Sequence, residues 1–146
     1  MPDLAQSPDL FANTKVLRML DDAGRRRLLA RAEALTFPNG AVVVQEGDPG
    51  DALYIIEDGV ATVGVDSFGQ EKPVSELGSG AFFGEMAVIT EQPRSATVRA
   101  RGALSVLKIP KDAVVSVLKD YPRVREIIAK ISIARTEQTM GKMLED

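Results

Sequence analysis

The sequence contains no histidine and no cysteine, and these two absences exclude most of the common catalytic and metal sites. Histidine is the commonest general acid or base near neutral pH and the commonest metal ligand, so a Ser-His-Asp triad, a Cys-His pair and a histidine-bound metal are all excluded. Without cysteine there are no disulfides, thiolate nucleophiles or zinc-thiolate sites. Acid-base chemistry between carboxylates, or carboxylates around magnesium, remains open.

An excess of basic charge and long apolar runs are missing as well. The formal net charge is -3, whereas a general nucleic-acid binder needs a basic surface. No run approaches the ~20 apolar residues of a membrane-spanning helix, and the N-terminus lacks the basic and apolar segments of a signal peptide. We therefore expect a cytoplasmic protein with no membrane span and no direct contact with nucleic acid.

Length and composition fit one globular domain. Of the 146 residues, 45% are apolar and 27% are charged, which is an ordinary balance for such a domain. We expect residues 1–146 to form a single unit of three parts. These parts are N-terminal helices over 9–36, a β-roll over 37–110 and two C-terminal helices over 111–144.

Apolar residues at helical spacing predict two short N-terminal helices joined near Asp21. The residues that carry this pattern are Leu10, Phe11, Val16, Leu17, Leu20, Ala23, Leu28, Leu29, Ala32 and Leu35. Three consecutive arginines, residues 25–27, are expected to form the solvated side of the second helix. A phosphate or membrane contact is the alternative for these arginines.

Between Phe37 and Pro110 the pattern changes to short alternating runs, separated by segments rich in Gly, Pro, Asp and Asn. The runs are AVVVQ, ALYII, VATVGV, KPVSEL, SATVRA and LSVLKI. Asp58-Gly59 predicts a type I′ hairpin turn, because both central positions of that turn need positive φ. So many short strands favour a closed, jelly-roll-like antiparallel β-roll over a sandwich of long strands. With the helices, the fold class is α+β.

The helical period returns after Pro110, and Tyr121-Pro122 divides it into two helices, since proline is tolerated in the first turn of a helix. The second helix carries one apolar stripe, formed by Val124, Ile127, Ile128, Ile131 and Ala134. Its end is more polar and contains Gly141, which weakens a helix. Either this tail frays, or its apolar side is covered by another chain or by a moving element.

The segment FGEMAVITEQPRSATV, residues 83–98, places a carboxylate after a glycine and a guanidinium after a proline. Gly84 allows close approach to the backbone, and the residues after it predict a short helical turn whose first N–H groups attract anions. The planar fork of Arg94 fits phosphate oxygens, and the Glu85 carboxylate fits a hydroxyl donor such as a ribose 2′-hydroxyl. The segment predicts a sugar-phosphate site, with a buried Glu–Arg ion pair as the alternative.

This segment resembles the phosphate-binding cassette of the cyclic nucleotide-binding domains, whose usual form is F-G-E, two or three apolar residues, a short spacer and P-R-x-A-T-V. Upstream, EGDPGDALYIIEDGVATV resembles the glycine-rich strand and hairpin region of that family. The resemblance covers residues 10–140 and is closest in look to bacterial channel-type members. It implies a β-roll flanked by an N-terminal helical segment and two C-terminal helices, the last acting as a lid over the base.

The resemblance also implies a set of ligand-binding residues within the cassette, residues 82–98. They are Phe83, Gly84, Glu85, Met86, Ala87, Arg94, Ser95 and Ala96. Arg94 would pair with the cyclic phosphate, and Glu85 would accept from the ribose 2′-hydroxyl. Outside the cassette, Arg135 is a candidate to stack on the base and Val63 a candidate to touch it. An exposed helix arginine and a plain core valine are the respective alternatives.

The resemblance predicts a cyclic nucleotide receptor domain that is not an enzyme, with no metal and no cofactor apart from the ligand. Cyclic AMP is favoured over cyclic GMP, although Ser95 after the phosphate arginine carries a hydroxyl that either nucleotide could use. Occupancy would rearrange the C-terminal helices and regulate an effector protein or a missing output domain. A degenerate β-roll interaction module is the alternative, against which the intact Glu85 and Arg94 speak. A cupin-type enzyme would need metal-binding histidines.

Overall fold

The part of the chain that the structure describes, residues 18–84 and 96–144, contains six strands and three complete helices in a computed structural model. For Ser132 and residues 135–144 only the backbone is described. The helices are α1 (Asp22–Leu29), α2 (Lys111–Asp120) and α3 (Pro122–Leu144). The strands are β1 (Glu33–Phe37), β2 (Val42–Val44), β3 (Ala52–Ser67), β4 (Gln70–Leu77), β5 (Phe82–Phe83) and β6 (Thr97–Pro110).

Helix α1 begins where the sequence predicted a junction between two helices. The side chain of Asp21 caps it by accepting a hydrogen bond of 2.8 Å from the backbone N–H of Gly24. The predicted helical segment over 9–36 is wrong at its end, because α1 stops at Leu29 and β1 begins at Glu33. Residues 33–37 pair with β6, and Leu35 packs inside the roll, so cross-strand pairing prevails over helical spacing.

The sheet is antiparallel and is organised around its two longest strands. The strand order is β1-β6-β3-β4, with β2 also paired to β6 and β5 to β3. β3 has 16 residues and β6 has 14, and they pair from Ala52↔Pro110 to Gly64↔Thr97. The expectation of short strands alone is therefore wrong, since two pairs of predicted runs fuse into these long strands. The predicted class, an antiparallel roll with flanking helices, is confirmed.

The hairpin predicted at Asp58-Gly59 is also wrong, because β3 continues through both residues without ending. Its register against β6 shifts on either side of Asp58, which marks an irregularity of the bulge type. Gly59 has a φ of 101°, and a Cβ there would lie 2.5 Å from the carbonyl oxygen of Ala103 on β6. Glycine thus lets the strand bend while it stays paired.

The two-residue hairpin turn lies instead at Phe68-Gly69, between β3 and β4. Ser67 pairs with Gln70, and the two residues between them have φ of 52° and 84°. Positive φ at both central positions is the requirement of a type I′ turn. The Phe68 side chain is fully exposed and is an uncommon residue for this conformation. The turn falls in SFGQ, one of the glycine-containing segments that separate the predicted runs, although phenylalanine itself does not favour a turn.

Side chains of β3 alternate between two apolar clusters. The helix cluster lies between the sheet and the helices and consists of Leu20, Leu28, Leu29, Leu53, Ile55, Phe82, Leu107, Ile109, Ala113, Val114, Val117, Leu118, Val124 and Ile128. The roll cluster fills the other side of the strands and consists of Ala52, Tyr54, Ile56, Ala61, Phe83, Val98, Ala100, Leu104 and Val106. Each large side chain buried this way stabilises the fold by ~1.5–3 kcal/mol.

The break between the two C-terminal helices lies at Tyr121-Pro122, as predicted. On α3, Val124 and Ile128 are buried in the helix cluster, while Ile127 and Ile133 are 39% and 59% exposed. The helix continues through Gly141 to Leu144, so that glycine does not end it. None of the helices in the described ranges is long and apolar enough to span a membrane.

Candidate ligand-binding site

The structure places both ends of the cassette but not its middle. Glu85, Met86, Ala87, Arg94 and Ser95 lie outside the described residues. The entry to the cassette is β5, which pairs with the first half of β3, and its exit is β6, which pairs with β3 from Ala52 to Gly64. The same strand, β3, therefore holds both ends of the segment in which the phosphate site is predicted.

Gly84 has a backbone conformation that an L-residue with a side chain rarely adopts. It directly follows β5, is half-buried and has a φ of 88°. Any residue with a Cβ would be strained there. The chain thus has a conformational reason for glycine at the cassette entry, in addition to the close approach of a ligand that the sequence suggested.

Phe83 lies inside the roll cluster and is only 4% exposed. Its ring stacks on that of its cross-strand neighbour Tyr54, with centroids 4.9 Å apart and planes 4° from parallel. Such stacked pairs contribute ~0.5–1.5 kcal/mol beyond their burial. In the structure, the Phe83 side chain therefore anchors the cassette entry in the core.

The cassette exit and the base candidate lie side by side on the roll. Ala96 is half-buried and precedes β6. Val63 is half-buried, packs against the roll cluster and lies between Ser75 of β4 and Val98 of β6. Val63 thus sits at the margin of the core, next to the strand that follows the predicted phosphate site. Contact with a base stays a prediction.

Arg135 lies on α3, but its side chain is not described. The helix packs against the core through its first turns and also lies against β4. At 1.5 Å per residue, Arg135 is ~20 Å along the axis from Pro122. Its proposed stacking on the base stays a prediction.

Two arginines, one in α1 and one just after it, join this part of the chain to α2, a feature that sequence reasoning missed. Arg27 donates to the Asp120 carboxylate at 2.7 Å and to the Ser116 carbonyl oxygen at 3.2 Å. Arg31 lies 3.2 Å from the Asp112 carboxylate. The predicted solvated face is therefore correct only in part. Partners about 90 positions away leave no signal in the local sequence.

Tyr121, at the α2–α3 junction, closes onto the beginning of α1. Its hydroxyl donates to the Asp21 carboxylate at 2.5 Å, and its ring lies directly over Gly24. The hydrogen bond from Tyr121 and that from the Gly24 amide hold the pKa of Asp21 below its usual value. The same hydrogen bond raises the pKa of Tyr121. This contact fixes the helix junction against α1.

We expect Gly24→Ala to lower the thermal unfolding midpoint. In an open helix the change would stabilise by ~1 kcal/mol. Here the new Cβ would lie 2.8 Å from Cζ of Tyr121, so the ring must move and its hydrogen bond to Asp21 is lost. In a Tyr121→Ala background the same substitution should raise the midpoint. A higher midpoint for Gly24→Ala in the wild-type background would contradict this account.

Two arginines of β6 downstream of the cassette are paired with glutamates of β4. Arg99 Nε lies 2.8 Å from a carboxylate oxygen of Glu71, and Arg101 pairs with Glu76. Both pairs are largely exposed. Within the described ranges, no three acidic side chains are grouped so that they could hold a metal ion. These arginines offer controls for the one predicted to bind phosphate.

Comparison with known proteins supports the family resemblance that the sequence indicates. The sequence profile of the cyclic nucleotide-binding domain family matches residues 34–121, more than half of the chain. A cyclic nucleotide-gated potassium channel from Mesorhizobium japonicum is 34% identical over 133 residues, which cover 91% of this chain and 36% of the channel. A cAMP-dependent protein kinase regulatory subunit from Emericella nidulans is 36% identical over 97 residues, covering 66% of this chain and 23% of the subunit.

Among solved structures, the regulatory domain of Toxoplasma gondii PKA with cAMP is similar in fold. The TM-score is 0.78 at 25% sequence identity, over 86% of this chain and 48% of that one. In all three comparisons, this chain spans less than half of the protein that it matches.

Proposed function

The chain belongs to the cyclic nucleotide-binding domain family, and on that basis we propose that it is a receptor for a cyclic nucleotide, cAMP in preference to cGMP. The observation that carries the proposal is a complete cassette sequence, residues 82–98, whose two ends are held by β3. An intact cassette on this frame favours a binding domain over a degenerate interaction module.

In the proposed complex, Arg94 and Glu85 recognise two different groups of one ligand, its phosphate and its ribose hydroxyl. Arg94 pairs with the cyclic phosphate through two parallel hydrogen bonds, and backbone N–H groups of residues 85–87 add further donors. Glu85 accepts from the ribose 2′-hydroxyl. Gly84, whose positive φ turns the chain at the end of β5, begins this segment. A ligand that offers both a phosphate and a free 2′-hydroxyl satisfies both charged groups.

The preference for cAMP draws on the relatives. The Emericella nidulans and Toxoplasma gondii proteins are named for cAMP. Ser95, beside the phosphate arginine, carries a hydroxyl that either nucleotide could use and does not contribute to this preference. Arg135 on α3 completes the proposed site by stacking on the base.

The proposed output is a change in how α2 and α3 pack. These helices rest on the helix cluster, which shares β3 and β6 with the roll that holds the cassette. A ligand that binds one helix arrangement more tightly shifts the population toward it by no more than that difference in affinity. The receiver is an effector protein or an output domain, in the cytoplasm, and no residue is assigned a catalytic role.

Amide hydrogen exchange with and without saturating cAMP tests this coupling. We expect the exchange rates of amides in α3 to change by ~10-fold or more, because the helix leaves one packing arrangement for another. The matched control is Arg94→Ala at the same cAMP concentration, which should show the ligand-free pattern. Unchanged exchange in α3 under demonstrated saturation would refute the coupling but leave the binding site intact.

A further inference from the structure

Thr97 is a buried residue with a polar side chain. It is 7% exposed and begins β6, three residues after Arg94. Its Oγ1 accepts a hydrogen bond of 3.0 Å from the backbone N–H of Glu46. The donor and the acceptor of this bond are 51 residues apart in the sequence. The bond stabilises the buried position of Thr97, because a hydroxyl buried without a hydrogen-bond partner is unfavourable.

Glu46 occupies a tight turn between β2 and β3. The N–H of Asp48 donates to the carbonyl oxygen of Gln45 at 3.1 Å, and Gly47 has a φ of 90°. Positive φ at the third position of such a turn is typical of type II, which places Glu46 at the second position. The Glu46 carboxylate also accepts from the N–H of Asp66 on β3 at 3.1 Å. One residue thus joins the turn, β3 and the start of β6.

We propose that Thr97 and Glu46 are positioning residues for the phosphate site, an inference that rests on the proposed cyclic nucleotide function. Thr97 follows Arg94 by three residues, a span over which the chain can reach at most ~10 Å, so the position of Thr97 limits where Arg94 can lie. A binding constellation has to be held within ~0.5 Å by such supporting hydrogen bonds. The Thr97–Glu46 bond fixes the end of the cassette that is nearest in sequence to the proposed phosphate arginine.

The strand itself gives no reason for a hydroxyl at this position. Thr97 already pairs with Gly64, and Val98 pairs with Val63 in the same ladder. Valine has nearly the shape of threonine and is equally suited to a strand, so a strand requirement would be met as well without the hydroxyl. What the hydroxyl adds is the bond to the Glu46 turn.

The first test compares cAMP affinities of three variants by titration calorimetry. Thr97→Val should lower the affinity by ~10-fold, since it removes the acceptor and leaves the Glu46 N–H unpaired. Thr97→Ser keeps the acceptor and should stay within about threefold of the wild type. Ile109→Val, at the fully buried far end of the same strand, is destabilising by a similar amount but should leave affinity unchanged.

A second test removes the donor instead of the acceptor. Glu46→Pro eliminates the N–H, and proline fits the second position of a type II turn. Glu46→Ala is the reference, because both variants lose the carboxylate but only proline loses the N–H. Relative to Glu46→Ala, Glu46→Pro should therefore lower the affinity when residue 97 is threonine and have little further effect when it is valine, since Glu46→Pro and Thr97→Val break the same bond.

The outcomes separate this inference from the proposed function. If wild-type protein binds cAMP and Thr97→Val binds equally well, the positioning role is overturned and the receptor function stands. Affinity losses for Thr97→Val and Ile109→Val that both track lost stability would also overturn it. If wild-type protein binds neither cAMP nor cGMP, the receptor function fails, and the positioning role falls with it.

Discussion

Replacing Arg94 with alanine is expected to reduce the affinity for cAMP by ~100-fold or more, because removing one partner of a desolvated charge pair costs ~2–5 kcal/mol. The cyclic phosphate would lose its two parallel hydrogen bonds and its only proposed side-chain countercharge. Titration calorimetry of the variant against the wild-type chain measures the loss. The thermal unfolding midpoint without ligand should change little, which separates a binding defect from unfolding.

Two variants control this result. Arg94→Lys keeps the charge but not the planar fork, so its affinity should fall between those of wild type and Arg94→Ala. Arg101→Ala removes an arginine farther along the same stretch of chain, where it pairs with Glu76 at the surface, and should leave affinity unchanged. If the cAMP affinity of Arg94→Ala is within threefold of the wild-type affinity, Arg94 does not bind the phosphate.

Replacing Glu85 with glutamine is expected to weaken cAMP binding by ~10-fold, less than the loss at Arg94. The neutral amide still offers an oxygen to the 2′-hydroxyl, but the hydrogen bond is no longer charge-assisted. Removing the carboxylate also removes a negative charge near the phosphate, which offsets part of the loss.

The ligand 2′-deoxy-cAMP separates the two effects of Glu85. It lacks the hydroxyl donor, so the wild type should bind it more weakly than cAMP, and Glu85→Gln should narrow that gap. Parallel titrations of both proteins with both ligands give the four affinities of a cycle. If the ratio of the affinities for cAMP and 2′-deoxy-cAMP is the same in the two proteins, Glu85 does not contact the 2′-hydroxyl.

The cassette can be recognised in the sequence because its proposed chemistry depends on residues that are close together in the chain. Gly84, Glu85 and Arg94 stand within eleven residues, and each has a physical reason for its position. The class of fold followed from alternating runs separated by turn residues. Both features depend on patterns that a short window of sequence contains in full.

The strand boundaries failed where distant pairing decides the structure. Asp58-Gly59 has the local chemistry of a turn, yet continuous pairing with β6 makes it an irregularity inside β3. Phe68-Gly69 lacks a favoured turn residue at its first position, yet it closes the hairpin because the ladder between β3 and β4 demands it. In both places the sheet as a whole prevails over local preference.

The side-chain contacts of the helices could not be predicted from the sequence for a related reason. The sequence marks Tyr121 only as the neighbour of a helix-starting proline, whereas the structure places its hydroxyl on Asp21, 100 positions away. The bond between Glu46 and Thr97 likewise joins two segments whose spacing carries no pattern. Side-chain bonds of this kind become visible only once the roll brings their strands together.

Titration calorimetry of the unmodified chain with cAMP and with cGMP tests the central claim most directly. The account predicts saturable binding of one nucleotide per chain, with cAMP bound more tightly than cGMP. No heat from either nucleotide at high micromolar ligand, from a chain shown to be folded by its thermal transition, would contradict it.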